Sequence, residues 1–294
     1  MSDTTTGAAA TGPLLEFDAQ AFSSQFPSRP FLVRHRLADH PLFAIQRLLD
    51  LSKALSESSV EYNEGNIPVN MDQKASPRTG LSVEETIRRI RDAHSWMVLK
   101  FVEQDASYRA LLDQCLDQVQ ALSEGIVPGM SNRQGFIFLS SPNSVTPFHV
   151  DPEHNFLLQV QGTKFVTIFD AADTEVITEE DIEKGLFGGL RNLRYDASKQ
   201  SRGQTFELKP GMGLHFPVAA PHFVQNGPDV SVSFSITFRS RASERWAEVR
   251  QMNLAMRKRG LQPAPLGESA MGDEVKFQLA RVLRRVSRVL PGQE

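Results

Sequence analysis

The stretch Val145-Thr146-Pro147-Phe148-His149-Val150-Asp151-Pro152-Glu153-His154-Asn155 (VTPFHVDPEHN) sets a histidine and an aspartate two positions apart and runs on into the apolar FLLQV. Read as a strand, SVTPFHV alternates its side chains with period two, so His149 and Asp151 lie on one face. That brings one imidazole and one carboxylate to a single concave surface. A third ligand then has to come from a different strand, and His222 in PHFVQN is the candidate. Two histidines and one carboxylate leave positions open on an octahedral iron(II), which a complete cage of protein ligands does not. The competing reading is a polar turn.

Working outward, residues 134 to 238 are a succession of short β-rich segments: GFIFLSS, SVTPFHV, NFLLQV, KFVTIF, TFELKPG, LHFPV, HFVQN and VSVSFSITF. Pro, Gly and Asn turns separate them, which predicts a sandwich or jelly roll rather than a parallel α/β sheet. One insert, TEEDIEKGL at 178 to 186, reads as helical. Before this region, PFLVRH (30 to 35) and SWMVLKFV (95 to 102) read as strands. Helices are expected over 41 to 54, over 83 to 93 behind the capping box Ser82-Val83-Glu84-Glu85, and over 107 to 125. After 242 the chain returns to helix and ends in DEVKFQLARVLRRVSRVL.

A chain of 294 residues with 40% hydrophobic content is large for one domain and short for two. One domain with helical additions follows. A formal charge of -3 provides no global field for nucleic acid or an anionic membrane, and neither is expected as a partner. The single cysteine, Cys115, excludes an intrachain disulfide and a cysteine-rich zinc site, and reads as a small buried hydrophobe on its helix. The opening MSDTTTGAAATG lacks the basic and apolar regions of a signal peptide, and no run is long and apolar enough to span a bilayer. These features predict a soluble cytoplasmic protein with a disordered tail over 1–13.

Around His222, the positions Gly211, Pro217, Ala219, His222 and Asn226 follow the second cupin motif, GxxxxxPxGxxHxxxN, with Ala219 at one glycine. The first cupin motif is altered: its HxH becomes His149-Val150-Asp151, Asn155 stands at its glutamate, and Gly162 closes it. TPFHVDPEHNFLLQVQGTKFVTIF resembles the pattern TPxHxDxxxNxxxQVxGxKxFxLF of the JmjC-type, or cupin-like, iron(II)- and 2-oxoglutarate-dependent oxygenases, among them protein asparaginyl hydroxylases. The resemblance implies a mainly β protein: a double-stranded β-helix (jelly-roll, cupin-like) core with N-terminal and C-terminal helical additions. It implies an oxygenase domain over 14–240 with the motif-bearing core at 134–238, and a C-terminal helical segment over 241–294.

By position, the resemblance makes His149, Asp151 and His222 the catalytic iron ligands. It makes Lys164 the cation for the far carboxylate of 2-oxoglutarate and Thr146 its hydroxyl partner, and sets Asn155 in the cosubstrate pocket. Lys164 carries independent weight, because an ammonium entering the apolar strand KFVTIF is costly to bury without an anion. The implied activity couples oxidative decarboxylation of 2-oxoglutarate by O2 to hydroxylation of a peptide or protein side chain, or of a small molecule. The chain departs from the family where PGDxLFIPxGWWH becomes PGMGLHFPVAAPH (210 to 222) and where Ser233 and Ser235 replace a frequent asparagine. The altered segment motivates an alternative, a metal-binding cupin-like binding or sensor protein without oxygenase activity. His154 reads as an exposed turn residue and His215 as a hydrogen-bonded histidine. In the last helix, Lys276, Arg281, Arg284, Arg285 and Arg288 form a solvated side. Val275, Leu279, Val282, Leu283, Val286 and Leu290 form an apolar stripe for packing, and a homodimer through these C-terminal helices is expected.

Overall fold

The computed structural model describes residues 12–71, 77–190 and 192–289. Of the expected tail, residues 1–11 lie outside them. Twelve strands are present among the described residues: β1 (Leu15–Glu16), β2 (Phe31–His35), β3 (Val60–Glu64), β4 (Ser95–Lys100), β5 (Ser131–Ser140), β6 (Val145–His149), β7 (His154–Gln161), β8 (Lys164–Ile168), β9 (Gln204–Leu208), β10 (Met212–Phe216), β11 (His222–Asn226) and β12 (Ser231–Arg239). They form an eight-stranded sheet, β1-β2-β10-β7-β12-β5-β4-β3, and a four-stranded sheet, β6-β11-β8-β9. Every strand pairing is antiparallel. The expected mainly β architecture with flanking helices is the one observed.

Alternation assigns the strand faces. Leu157, Leu214 and Phe216 of the large sheet pack with Val166, Ile168 and Val224 of the small one, so these positions point into the barrel. The next residues along, Phe156, Leu158, Val232, Phe234 and Ile236, point the other way into a larger core. The helices α1 (Ala19–Gln25), α2 (Ile45–Ala54) and α4 (Ala106–Ser123) cover that outer face with Phe22, Leu48, Leu51, Tyr108, Leu112, Cys115 and Val119. Cys115 is fully buried, as expected of a small hydrophobe. The outer face of the small sheet is closed by the insert carrying α5 (Glu179–Phe187), whose Ile182 packs with Ile177 and Leu193 on Phe148, Val150, Ala219 and Phe223.

Three helical expectations differ from the structure. The helix foreseen over 41 to 54 is a 3-10 turn at Pro41–Phe43, then the extended Ala44, then α2. The helix behind the Ser82 capping box, α3 (Val83–Arg88), stops short of residue 93. There the Ile90 carbonyl accepts from the Ser141 hydroxyl, and His94 at φ 46° turns the chain into β4. The third concerns α7 (Ala270–Val289), which lies against α6 (Arg241–Arg257). Part of its charged side meets the neighbouring chain: Glu274 pairs with Arg245, Arg284 with Glu248, and the buried Lys276 donates to the Ala264 carbonyl at 2.7 Å. The stripe of Met271, Val275, Leu279, Val282 and Leu283 faces solvent. Of the described basic residues only Lys276 is buried rather than solvated; Arg281 and Arg284 are exposed as expected, and the stripe is left uncovered within one chain. Arg285, Val286, Arg288 and Leu290 lie outside the described side chains.

Candidate metal centre and anion pocket

His149 ends β6 and His222 begins β11, and the register sets the two directly opposite each other. Opposed residues of an antiparallel pair share a face, so both imidazoles enter the barrel. Their ring centroids are 4.1 Å apart. Asp151 lies past the end of β6, so strand alternation does not bring it to this face as the sequence reading assumed. The segment 150–153 folds its carboxylate back, with Oδ1 3.9 Å from His149 Nε2 and Oδ2 3.7 Å from His222 Nε2. One donor atom from each of the three residues lies within 4.8 Å of the others, a spacing that suits a single ion.

The second nitrogens are already committed. His149 Nδ1 donates to the Pro147 carbonyl at 2.7 Å and His222 Nδ1 to the Ala220 carbonyl at 2.9 Å. A carbonyl only accepts, so in the neutral rings Nδ1 carries the hydrogen and Nε2 presents a lone pair toward Asp151. Burial, with His149 close by, lowers the His222 pKa to about 4, which keeps that ring in its ligating form.

Deeper in the barrel lie the three positions singled out for an anionic cosubstrate. A β-bulge in the β6–β11 pairing puts Thr146 opposite Val224 and His149 opposite His222, so both face inward although they are three residues apart. Lys164 stands opposite Asn226 on the same inner face. It is 3% exposed, and its ammonium lies 5.6 Å from the centre of the Phe138 ring. Burial lowers its pKa to about 7. Asn155 points inward from β7, and its Oδ1 accepts from Ser235 Oγ at 2.7 Å. Among the described residues, the Thr146 hydroxyl, the Lys164 ammonium and the Asn155 amide nitrogen have no hydrogen-bond or ion-pair partner. Beside them Gln159 bonds Ser231 and Ser233, and Asn226 Nδ2 donates to the Ser144 carbonyl and hydroxyl while its buried Oδ1 has no partner among the described residues.

Trp96, Ser231, Thr237, Glu153 and Arg239 went unremarked in the sequence, where Ser233, Ser235 and Ala219 stood out only as departures from the motifs. Trp96 Nε1 is buried without a partner on the face of β4 that continues past Phe138. Ser231, Ser233, Ser235 and Thr237 all face the barrel, a period-two pattern visible in SVSFSITF. Glu153 and Arg239 form a 2.7 Å ion pair next to the triad. Ala219, at a glycine of the cupin motif, adopts φ 61° and donates its N–H to the Asp151 carbonyl at 2.9 Å. The left-handed backbone there accounts for the glycine in the pattern.

His154 is not an exposed turn residue. It opens β7 on the outer face, 1% exposed, where it meets Phe26, Phe238 and His215. The chain turns directly into the β7 ladder after Glu153, and parity sends the imidazole into the aromatic core. His215 is fully buried beside it and donates Nδ1–H to the Arg29 carbonyl at 3.2 Å, the hydrogen-bonded role expected for it.

Comparison with known proteins bears on the family and the fold. A family profile described as a cupin-like domain matches residues 26–253. The chain is similar to lysine-specific demethylase 8 of Xenopus tropicalis, 21% identical over 249 residues, covering 77% of this chain and 54% of that protein. It is also similar to Jumonji C domain-containing protein 5 of Drosophila melanogaster, 31% identical over 109 residues, 33% of this chain and 26% of that one. It thus spans about half the length of the frog protein and about a quarter of the fly protein. Among solved structures, YcfD, a ribosomal oxygenase from Escherichia coli described in complex with cobalt and succinic acid, shares the fold with a TM-score of 0.51 at 14% identity. That match covers 92% of this chain and 67% of the bacterial one.

Proposed function

Because the chain belongs to the cupin-like domain family, we propose that it is an iron(II)- and 2-oxoglutarate-dependent oxygenase that hydroxylates a peptide or protein side chain or a small molecule. The observation that carries this reading is a juxtaposition. Three donor atoms, two of them on imidazoles whose second nitrogens are already hydrogen-bonded, stand at the barrel mouth, and a buried ammonium without a hydrogen-bond or ion-pair partner among the described residues stands deeper in the same barrel.

His149, Asp151 and His222 hold the iron, and the donor set of two imidazoles and one carboxylate fits it. Bound iron(II), with 2-oxoglutarate and O2, supplies the oxidising chemistry through decarboxylation to succinate and carbon dioxide. The protein's share is binding, orientation and exclusion of water. Lys164 binds the far carboxylate of 2-oxoglutarate, and Thr146 donates its hydroxyl to the same group. Asn155, held by Ser235, offers its amide nitrogen to the cosubstrate. Phe148, Val150, Ala219 and Phe223, chain neighbours of the ligands, are packed under the insert and keep the metal-bearing strands from shifting. That the Escherichia coli protein of the same fold is described as an oxygenase supports the reaction class.

Succinate formation on incubation with iron(II), O2 and 2-oxoglutarate tests the activity. The alternative, a metal-binding cupin-like sensor, draws on the PGMGLHFPVAAPH segment. It is the correct reading if iron binds, 2-oxoglutarate adds no visible absorption band, and Lys164→Ala changes nothing. We further assign the segment from 241 onward to homodimerisation, supported by the exposed stripe on α7. We place the protein in the cytoplasm, supported by a single, buried cysteine. Among the described residues no helix is long and apolar enough to cross a membrane.

A further inference from the structure

The ladder that aims His149 ends at that residue, so something else must aim Asp151. Two contacts pin the segment between β6 and β7. On one side the Ala219 N–H donates to the Asp151 carbonyl at 2.9 Å. On the other, Arg239, the last residue of β12, donates Nη2–H to Glu153 Oε1 at 2.7 Å. The Glu153 side chain is 14% exposed and that of Arg239 33%, so the pair is mostly shielded from water. Pro152 stands between the ligand and the tether. It locks its own φ and keeps Asp151 in extended backbone, so few soft torsions separate the fixed Glu153 from the Asp151 carboxylate. β12 is held on both edges, by β5 and β7, as far as Phe238, and Arg239 follows paired with Ser131 of β5, which anchors its backbone.

We propose that Glu153 and Arg239 are positioning residues that hold the Asp151 carboxylate in its ligating orientation and thereby set the metal affinity of the triad. This rests on the metal-binding reading given above. A purely electrostatic role has the opposite sign. Removing Arg239 would leave Glu153 as an uncompensated anion near the site and tighten cation binding, whereas losing the tether weakens it.

The test is a Co(II) titration of the full chain followed by visible absorption, with thermal melting to verify folding. Arg239→Met, which keeps the packed stem, is expected to raise the Co(II) dissociation constant by about tenfold, as loss of an outer support of a metal ligand does. It should also change the shape of the cobalt absorption. Arg239→Lys should restore both to near the unaltered values. The charge-neutral pair Glu153→Ala/Arg239→Ala should bind at least as weakly as Arg239→Met. Tighter or unchanged binding in Arg239→Met, or full affinity in the double variant, overturns the proposal. If Arg239→Met does not fold, the Arg239→Lys and Glu153→Ala spectra decide it: an unchanged spectrum in Glu153→Ala overturns it. No cobalt uptake by the unaltered chain would overturn the metal-binding reading itself.

Discussion

His149 and His222 are aimed by the same device: each donates Nδ1–H to the carbonyl two residues before it, Pro147 and Ala220, while their rings stand 4.1 Å apart across the β6–β11 pair. Both carbonyls lie on or beside a proline, Pro147 within β6 and Ala220 before Pro221. The imidazoles are therefore oriented by local backbone before any ion arrives. Replacing either histidine with alanine should raise the dissociation constant for iron(II) or Co(II) at least 100-fold while leaving the barrel folded. Metal at about 100 times its dissociation constant should stabilise the unaltered chain by about 2.7 kcal/mol and neither variant measurably. Calorimetric titration and melting with and without metal measure both.

Lys164 yields a prediction in two directions. Its ammonium is buried against Phe138 without a counter-charge, so the unliganded protein should tolerate Lys164→Met with no loss of melting temperature. The same change should weaken 2-oxoglutarate binding by about ten- to a hundredfold, the scale of a charge-assisted contact of about 1.5–3 kcal/mol. Thr146→Ala should weaken it less. A fall in stability without a fall in 2-oxoglutarate affinity would assign Lys164 to structure alone.

The pH dependence of that pocket follows from the lowered Lys164 pKa of about 7. Between about pH 7 and the unfolded value of 10.5 the unfolded chain binds more protons, so this group adds stability as pH rises through the window and withdraws it as pH falls through 7. The anion needs the ammonium, so 2-oxoglutarate affinity should decline above pH 7, and bound ligand should hold the proton. Titrations of affinity from pH 6.5 to 9 on the unaltered chain and Lys164→Met separate this contribution from metal effects.

Much of the site was legible because spacing and chemistry coincide in one stretch. VTPFHVDPEHN and PHFVQN name the three donors, and TKFVTIF places a lysine where apolar neighbours make it conspicuous. What was not legible depends on where strands stop. Alternation put Asp151 on the face of His149, yet β6 ends first and a folded-back segment does the work. His154 sits between two polar-looking neighbours, and only the start of β7 at that residue sends it into the aromatic core. α7 reads as a helix with an apolar stripe to be packed against the domain or a second subunit. Within one chain α6 meets Glu274 and Arg284 and leaves the stripe uncovered, and no pattern within α7 itself records that choice.

Four buried histidines are held neutral, and this fixes the acid limit of the fold. Burial lowers the pKa of His35 and His154 to about 4, that of His215 to about 3, and that of His222 to about 4. Below the unfolded value of 6.5 the unfolded chain takes up protons that the folded chain refuses, so stability present above pH 6.5 is lost as pH falls toward 4. Each histidine contributes a slope of up to about 1.4 kcal/mol per pH unit in that window. Urea midpoints between pH 7.5 and 4.5 should fall steeply, and His215→Phe, which suits the surrounding aromatic rings, should flatten the profile. An unchanged profile in that variant would move the acid limit elsewhere.

The exposed face of α7 makes the last prediction. Met271 is 79% exposed and Val275, Leu279, Val282 and Leu283 are each more than half exposed, on one helix that meets α6 through Glu274 and Arg284. Exposed apolar surface of this kind is rare on a helix that stays alone, and the spacing 275, 279, 282 is that of a helix-to-helix seam. A second α7 packed against the first would bury it symmetrically. Light scattering should therefore return a mass near twice the 32.8 kDa of one chain. Leu279→Glu should shift it to one chain, because burying two carboxylates in an apolar seam costs several kcal/mol, roughly the scale of an unpaired buried charge. Melting of the monomeric variant should become independent of protein concentration while its metal affinity stays within about twofold, since the stripe lies on the side of α7 away from α6. A single-chain mass for the unaltered protein would remove the homodimer.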